Sequence, residues 1–187
     1  VDYWTMQRIG RVLIGLQGLT FVLFSVYEWH RFSLTQDFSA YYQAWFLIAH
    51  GNLNPPETSF FLSAFYLDHF VLIMWLLAPL YWVFPHAVTL LVIQDIAAIG
   101  AELIAWQWIM EYVDRSQLDK TSRIVISLAA VSFLIANPWM YWGIAFDFHP
   151  YTLGAFFSMG ALWAFKKGSA KYGYIFAVLT ALCGDVV

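Results

Sequence analysis

The sequence predicts an all-α integral membrane protein with about five transmembrane helices, together with external juxtamembrane helices in its first loop. Of its 187 residues, 61% are hydrophobic and only 11% are charged. The mean hydropathy of +0.65 lies far above that of soluble domains. The apolar residues also fall into long runs that are separated by short polar breaks, which is typical of a chain that crosses a bilayer several times.

Composition excludes several other classes of protein. The net charge is −3 and no long basic cluster is present, so nucleic acid is not an expected partner. A single cysteine, Cys183, excludes an internal disulfide and a cysteine metal cage. The chain begins at Val1 and ends within an apolar run, so we expect residues 1–187 to be a single transmembrane module from a longer chain.

The first predicted span covers residues 12–29, about 18 residues and therefore about 27 Å of helix. Arg8 and Arg11 precede this span, while Tyr27 and Trp29 end it with side chains that suit the membrane interface. The arginines predict that the N-terminus lies in the cytoplasm.

A shorter amphipathic helix is predicted over 37–50, since its apolar residues recur in steps of three and four. It is too short and too polar to span, so we expect it to lie in the membrane interface. Asp37 has two possible roles: it is the N-cap of this helix, or it is a functional acid held just above the membrane. The two roles do not compete if Thr35 or Ser39 caps the helix instead.

The apolar run over 70–84 is marginal for crossing a bilayer, at about 15 residues. If it spans, the following run at 86–112 ends outside. If it is a juxtamembrane or re-entrant hairpin, residues 37–84 form one external region and 86–112 leads inward. Further spans are predicted at about 124–142, 151–166 and 172–187.

The second topology agrees with the positive-inside rule. It leaves Arg31 as the one basic residue outside and puts the remaining eight of the nine inside: Arg8, Arg11, Arg115, Lys120, Arg123, Lys166, Lys167 and Lys171. The same topology gathers the following acids and histidines at the outer face: Asp37, Asp68, His69, Asp147, His149 and Asp185.

The stretch IAFDFHPY, residues 144–151, carries an acid and an imidazole two positions apart. If its backbone is extended, both side chains point the same way. With Asp68 and His69 they would then form a site for a divalent cation, Mn²⁺, Mg²⁺ or Zn²⁺. The alternative is that Asp147 and His149 only cap the following helix and face water.

Two acids lie inside the predicted span 86–112. Asp95 and Glu102 are seven residues apart, so they share one helix face. They belong either to a polar seam with Gln94 and Gln107 that packs on neighbouring helices, or to a proton or ion path.

The motifs in order resemble a family of predicted bacterial membrane proteins, domain of unknown function 2079 (DUF2079). The resemblance covers about residues 30–187 and rests on QDFSAYYQAWFLIAHG, LDHF, LLAPLYWVFPHAVTLLVIQ, FDFHPYTLGAFF and LTALCGDVV. The family is grouped with the GT-C glycosyltransferases, membrane enzymes that take sugars from polyprenyl-phosphate donors. The resemblance therefore implies a GT-C-like N-terminal module in the bacterial inner membrane.

The resemblance also implies roles for individual residues. Asp37 matches the essential acid of the first external loop, Asp147 with His149 matches a later acid that often helps to hold a metal, and Asp68–His69 matches the family's Asp-His-Phe. The chain departs from the pattern in two places. Tyr151 stands where the family usually has an acid, and Cys183-Gly184-Asp185 replaces Lys-Glu-Asp, which removes charge from the implied site.

Three functions are compatible with these features. The first is a glycosyltransferase that binds membrane lipid and a polyprenyl-phosphate sugar, with Asp37 as its base. The second is a non-catalytic scaffold associated with other membrane subunits. The third is an ion-coupled transporter that uses Asp95 and Glu102, which ranks last because most acids lie at one face.

Overall fold

The computed structural model describes residues 3–58 and 63–184, in which the fold is helical apart from one two-stranded antiparallel sheet. Its elements in chain order are α1 (Tyr3–His30), α2 (Gln36–Ala49), β1 (Pro56–Glu57), β2 (Ser63–Ala64), α3 (Phe65–Asp68), α4 (Ile73–Tyr81), α5 (Val88–Arg115), α6 (Lys120–Ile135), α7 (Pro138–Ala145), α8 (Pro150–Lys166) and α9 (Ala170–Leu182). The all-α membrane class is therefore confirmed.

Three segments of the described chain are long and apolar enough to cross a membrane, namely Trp4–His30, Val88–Arg115 and Lys120–Ala145. The shorter helices α8 and α9 pack against each other, and α8 also packs along α5. Helix α4 has nine residues, about 14 Å of helix, and packs on α2 instead of joining the long helices. Which end of the bundle faces the cytoplasm stays a prediction from the charge count.

Helices α1 and α5 run antiparallel in close contact. Gly10 lies against the ring of Trp106, which is fully buried and donates its indole N–H to the Gln7 carbonyl at 3.2 Å. A Cβ at Gly10 would overlap that ring. The missing side chain is therefore what lets the two helix backbones approach here.

A polar seam runs along the same interface. Ser25 donates to Asp95 at 3.2 Å, and Gln17 donates to Glu102 at 3.4 Å. The exposed fractions of Asp95 and Glu102 are 0% and 3%. Each acid thus faces α1, and Gln107 accepts a hydrogen bond from Gln7 of the same helix, whereas Gln94 bonds to the backbone of Asp147 and His149 instead. The ion path stays a prediction.

Glu102→Gln is expected to leave the folded protein as stable as the wild type or more so. In the described structure, Gln17 Oε1 and Glu102 Oε2 are buried without a hydrogen-bond partner. The new amide keeps an oxygen that accepts from Gln17 and adds an N–H that can donate to Gln17 Oε1. Glu102→Leu, by contrast, leaves the Gln17 amide without a partner and should lower the free energy of unfolding by about 2 kcal/mol. Thermal unfolding of both variants in detergent would check this, and equal losses would contradict it.

The predicted span at 124–142 is one apolar segment with a break inside it. Helix α6 ends at Ile135, and Asn137 caps α7 by accepting the N–H of Trp139 at 3.1 Å. Pro138 is the first residue of α7 and has no N–H to continue the preceding helix. The 146–149 loop, between α7 and α8, bonds to Gln94 of α5.

Candidate functional site

The first component of the site is the N-terminus of α2. Thr35 caps this helix, because its Oγ1 accepts the backbone N–H of Asp37 at 3.3 Å. Of the three caps considered for this helix, Asp37, Thr35 and Ser39, the structure has Thr35. The Asp37 carboxylate is therefore free of a capping role and its side chain is 32% exposed.

The second component is the 146–149 loop. Asp147 has a backbone φ of 124°. Residues other than glycine rarely adopt this conformation, which costs about 1–3 kcal/mol. The side chain of Gln94 of α5, which is fully buried, forms two hydrogen bonds with this backbone. Its amide donates to the Asp147 carbonyl at 2.7 Å, and its oxygen accepts the N–H of His149.

Asp147 joins this loop to the start of α2. Its side chain is only 2% exposed, and Oδ2 accepts the backbone N–H of Thr35 at 2.8 Å as well as the Thr35 hydroxyl. The extended backbone on which Asp147 and His149 would point together is absent. Asp147 faces Thr35 and is neither a helix cap nor turned to water.

His149 faces the other acid. Its Nε2 lies 3.8 Å from Oδ2 of Asp37, and its side chain is 21% exposed. The sequence paired His149 with Asp147, whereas the structure pairs it with Asp37. This pair is accessible, in contrast to the buried Asp147, so it is the part of the site that a substrate can reach.

Tyr41 occupies the centre of the aromatic packing around the site. Its ring contacts the ring of His149 at 5.8 Å between centroids and that of His69 at 5.2 Å, and its hydroxyl lies 3.5 Å from His69 Nδ1. His69 thus belongs to the same cluster. Asp68 ends α3 just before it, and Asp185 lies outside the described residues.

Burial raises the pKa of the Asp147 carboxyl above its ordinary value, although the Thr35 hydrogen bonds and the charge of His149 act the other way. A carboxyl with a raised folded-state pKa binds its proton more tightly when folded. Its contribution to stability is therefore fully present at low pH and is lost as pH rises through the raised value.

Asp147→Asn is expected to remove this pH dependence while keeping an oxygen for Thr35. The melting temperature of the wild type, relative to that of Asp147→Asn, should fall as pH rises from about 4 to 7. Asp114→Asn, an exposed position on α5, is the control. A difference that stays constant with pH, or one that appears equally in the control, would contradict the prediction.

The predicted cation has limited support in this geometry. Among the side chains that the structure describes, which do not include that of Asp68, no group of three from His, Cys, Asp or Glu is placed to hold a metal. Asp147 already accepts two hydrogen bonds from Thr35, and Asp37 and His149 supply only two ligands. The described side chains therefore supply too few ligands on their own, and the divalent cation stays a prediction.

An apolar cavity of about 270 Å³ opens beside the site between α5, α7 and α8. Tyr151 lines it and also stacks on His149, with 6.5 Å between ring centroids. Tyr151 thus connects the cavity to the Asp37–His149 pair, neither member of which lines it. Its walls are the following residues: Ala98, Ala101, Asn137, Trp139, Met140, Gly143, Ile144, Thr152 and Ala155.

Three residues that organise the site received no functional role from the sequence. Thr35 was considered only as a cap, Gln94 only as part of the seam, and Tyr41 only as part of an apolar stripe. For Thr35, the available signal was its position two residues before an acid. Nothing local to Gln94 distinguishes it, because its partners lie 53 and 55 residues away.

Comparison with known proteins gives one match. A family model described as a predicted membrane protein (DUF2079) matches residues 29–187. No curated protein matches the chain, and no solved structure matches it. The match begins at the end of α1 and includes every residue of the site.

Proposed function

Since the chain belongs to the DUF2079 family of predicted membrane proteins, we propose a reaction at a membrane: sugar transfer from a polyprenyl-phosphate donor by a GT-C-type glycosyltransferase module. The observation that carries the proposal is the accessible Asp37–His149 pair beside an apolar cavity. A polyprenyl-phosphate sugar has the matching form, since a polar head is joined to a long apolar chain.

Asp37 is the general base of this reaction. It accepts the proton of an acceptor hydroxyl while that oxygen bonds to the anomeric carbon and the bond from that carbon to the phosphate oxygen breaks. His149, 3.8 Å away, orients the Asp37 carboxylate. When protonated, His149 also offsets negative charge on the departing polyprenyl phosphate.

Asp147, Thr35 and Gln94 are positioning residues in this scheme. Thr35 bonds to both Asp147 and the backbone of Asp37, so the start of α2 is fixed relative to the 146–149 loop. Gln94 fixes the same loop relative to α5. The divalent cation stays a separate proposal, tested by activity before and after chelation, and no step above requires it.

A non-catalytic scaffold in a larger membrane complex is the second candidate. The buried contact between Asp147 and Thr35 favours it, because that contact joins two segments that are distant in sequence and so serves the fold itself. Cys183, buried where the family has lysine, favours it too. The requirement for Asp37 distinguishes the two proposed functions, since a scaffold does not need a partly exposed acid that faces a histidine.

The test is donor consumption by the protein in lipid nanodiscs. Radiolabelled polyprenyl-phosphate sugars are supplied with a membrane extract as the source of acceptors, and movement of label from the lipid fraction is followed. The wild type should consume one of the donors, whereas Asp37→Asn should not. Equal rates for the two proteins would refute the proposal. An inert wild type that co-purifies with partner subunits, unaffected by Asp37→Asn, would establish the scaffold.

A further inference from the structure

A second groove lies at the opposite end of the bundle from Asp37, between α1, α5 and α8. It has a volume of about 330 Å³ and is lined by Arg11, Leu103, Ile104, Gln107 and Trp163. Arg11 and Gln107 form its polar mouth, and the remaining three side chains form an apolar wall. We call this surface the basic-end groove.

A continuous polar network crosses the mouth of the basic-end groove. Arg11 donates to Gln107 Oε1 at 2.8 Å, and Gln107 donates to Glu111 at 3.4 Å. On the far side, Lys167 and Lys166 lie 2.6 and 3.3 Å from the two oxygens of Glu111. The network thus joins Arg11 of α1, which lines the groove, to the two lysines at the end of α8.

The charges of this network do not balance. Arg11, Lys166 and Lys167 are three cations, and Glu111 is the only carboxylate they share within the network. Lys166 and Lys167 are 40% and 46% exposed, so they can contact a ligand without leaving Glu111. The groove therefore attracts an anion at its mouth.

Tryptophans at this end suit the level of a lipid headgroup. Lys166 lies over the ring of Trp108 at 5.2 Å, and Trp163 lines the groove. Tryptophan is typical of the membrane interface, and basic pockets between helices are typical sites for anionic headgroups. In the described structure, the indole N–H groups of Trp108 and Trp163 have no hydrogen-bond acceptor.

We propose that the basic-end groove binds an anionic glycerophospholipid, with the phosphate between Arg11 and Lys167 and an acyl chain against Leu103, Ile104 and Trp163. Leu103, Ile104 and Trp163 line the same groove as Arg11, which favours a lipid phosphate over a free one, since free phosphate makes no contact with an apolar wall. This site is separate from the proposed transfer reaction and does not depend on it.

The test uses the purified protein in a neutral detergent. Its melting temperature is measured while phosphatidylglycerol, phosphatidylcholine or inorganic phosphate is added, for the wild type, Arg11→Gln, Lys167→Gln and Lys171→Gln. Lys171 is an exposed lysine of α9 outside the network and serves as the matched control. Phosphatidylglycerol alone should raise the melting temperature, with about fivefold weaker apparent affinity in Arg11→Gln and in Lys167→Gln and no change in Lys171→Gln.

Three results would overturn the proposal: equal stabilisation by phosphatidylcholine, the same stabilisation by inorganic phosphate, or unchanged affinity in both groove variants. Native mass spectrometry provides a measurement that does not require the variants to fold. The wild type presented with equal amounts of the two lipids should retain phosphatidylglycerol selectively. Equal retention of both lipids would also overturn the proposal.

Discussion

Replacing Asp37 by asparagine is expected to lower the rate of sugar transfer about 1,000-fold, which is within the range for loss of a general base. Asparagine has nearly the same shape but cannot accept the proton of the acceptor hydroxyl. It also cannot pair by charge with His149, which lies 3.8 Å away. Initial rates of donor consumption would measure the effect.

The same substitution should leave the fold intact. Thr35, and not Asp37, caps α2, and the Asp37 side chain is 32% exposed, so neither a cap nor core packing is lost. Glu28→Gln, which removes another acid at the same end of the bundle, is the control and should keep wild-type activity. Retained transfer in Asp37→Asn, with unchanged thermal unfolding, would remove Asp37 from the mechanism.

Replacing Gly10 by alanine is expected to destabilise the folded protein by about 3 kcal/mol, the upper range for overpacking. The added methyl group would overlap the ring of Trp106, which is fully buried and bonded to the Gln7 carbonyl. The ring cannot move away without losing that bond, so α1 and α5 must separate. The measurement is thermal or denaturant unfolding in detergent.

Gly15 on the same helix is the matched control, because a Cβ there meets nothing within 4 Å. Gly15→Ala should instead stabilise α1 by up to about 1 kcal/mol, since glycine is a poor helix former. Similar stabilities for the two variants would show that α1 and α5 do not pack closely at Gly10.

Much of the fold follows from the sequence because hydropathy and helical period are local properties. The apolar runs predict the long helices, and the stripe over 37–50 predicts α2. Gly51, with φ of 92°, directly follows the C-cap of that helix. The ends of the helices were predicted less accurately than their existence. Helix α1 extends through Arg8 and Arg11, and Pro138 divides a predicted single span into α6 and α7.

The membrane class, the approximate helices and the acids and histidines of the candidate site could thus be predicted from the sequence. The pairing of these residues depends on the packing of the helices. Asp147 bonds to Thr35, which lies 112 residues away. Gln94 holds the strained loop, and His149 meets Asp37 instead of its neighbour in sequence. The physical reason is that a local pattern fixes the face on which a side chain lies, whereas its partner depends on which helix ends the packing brings together.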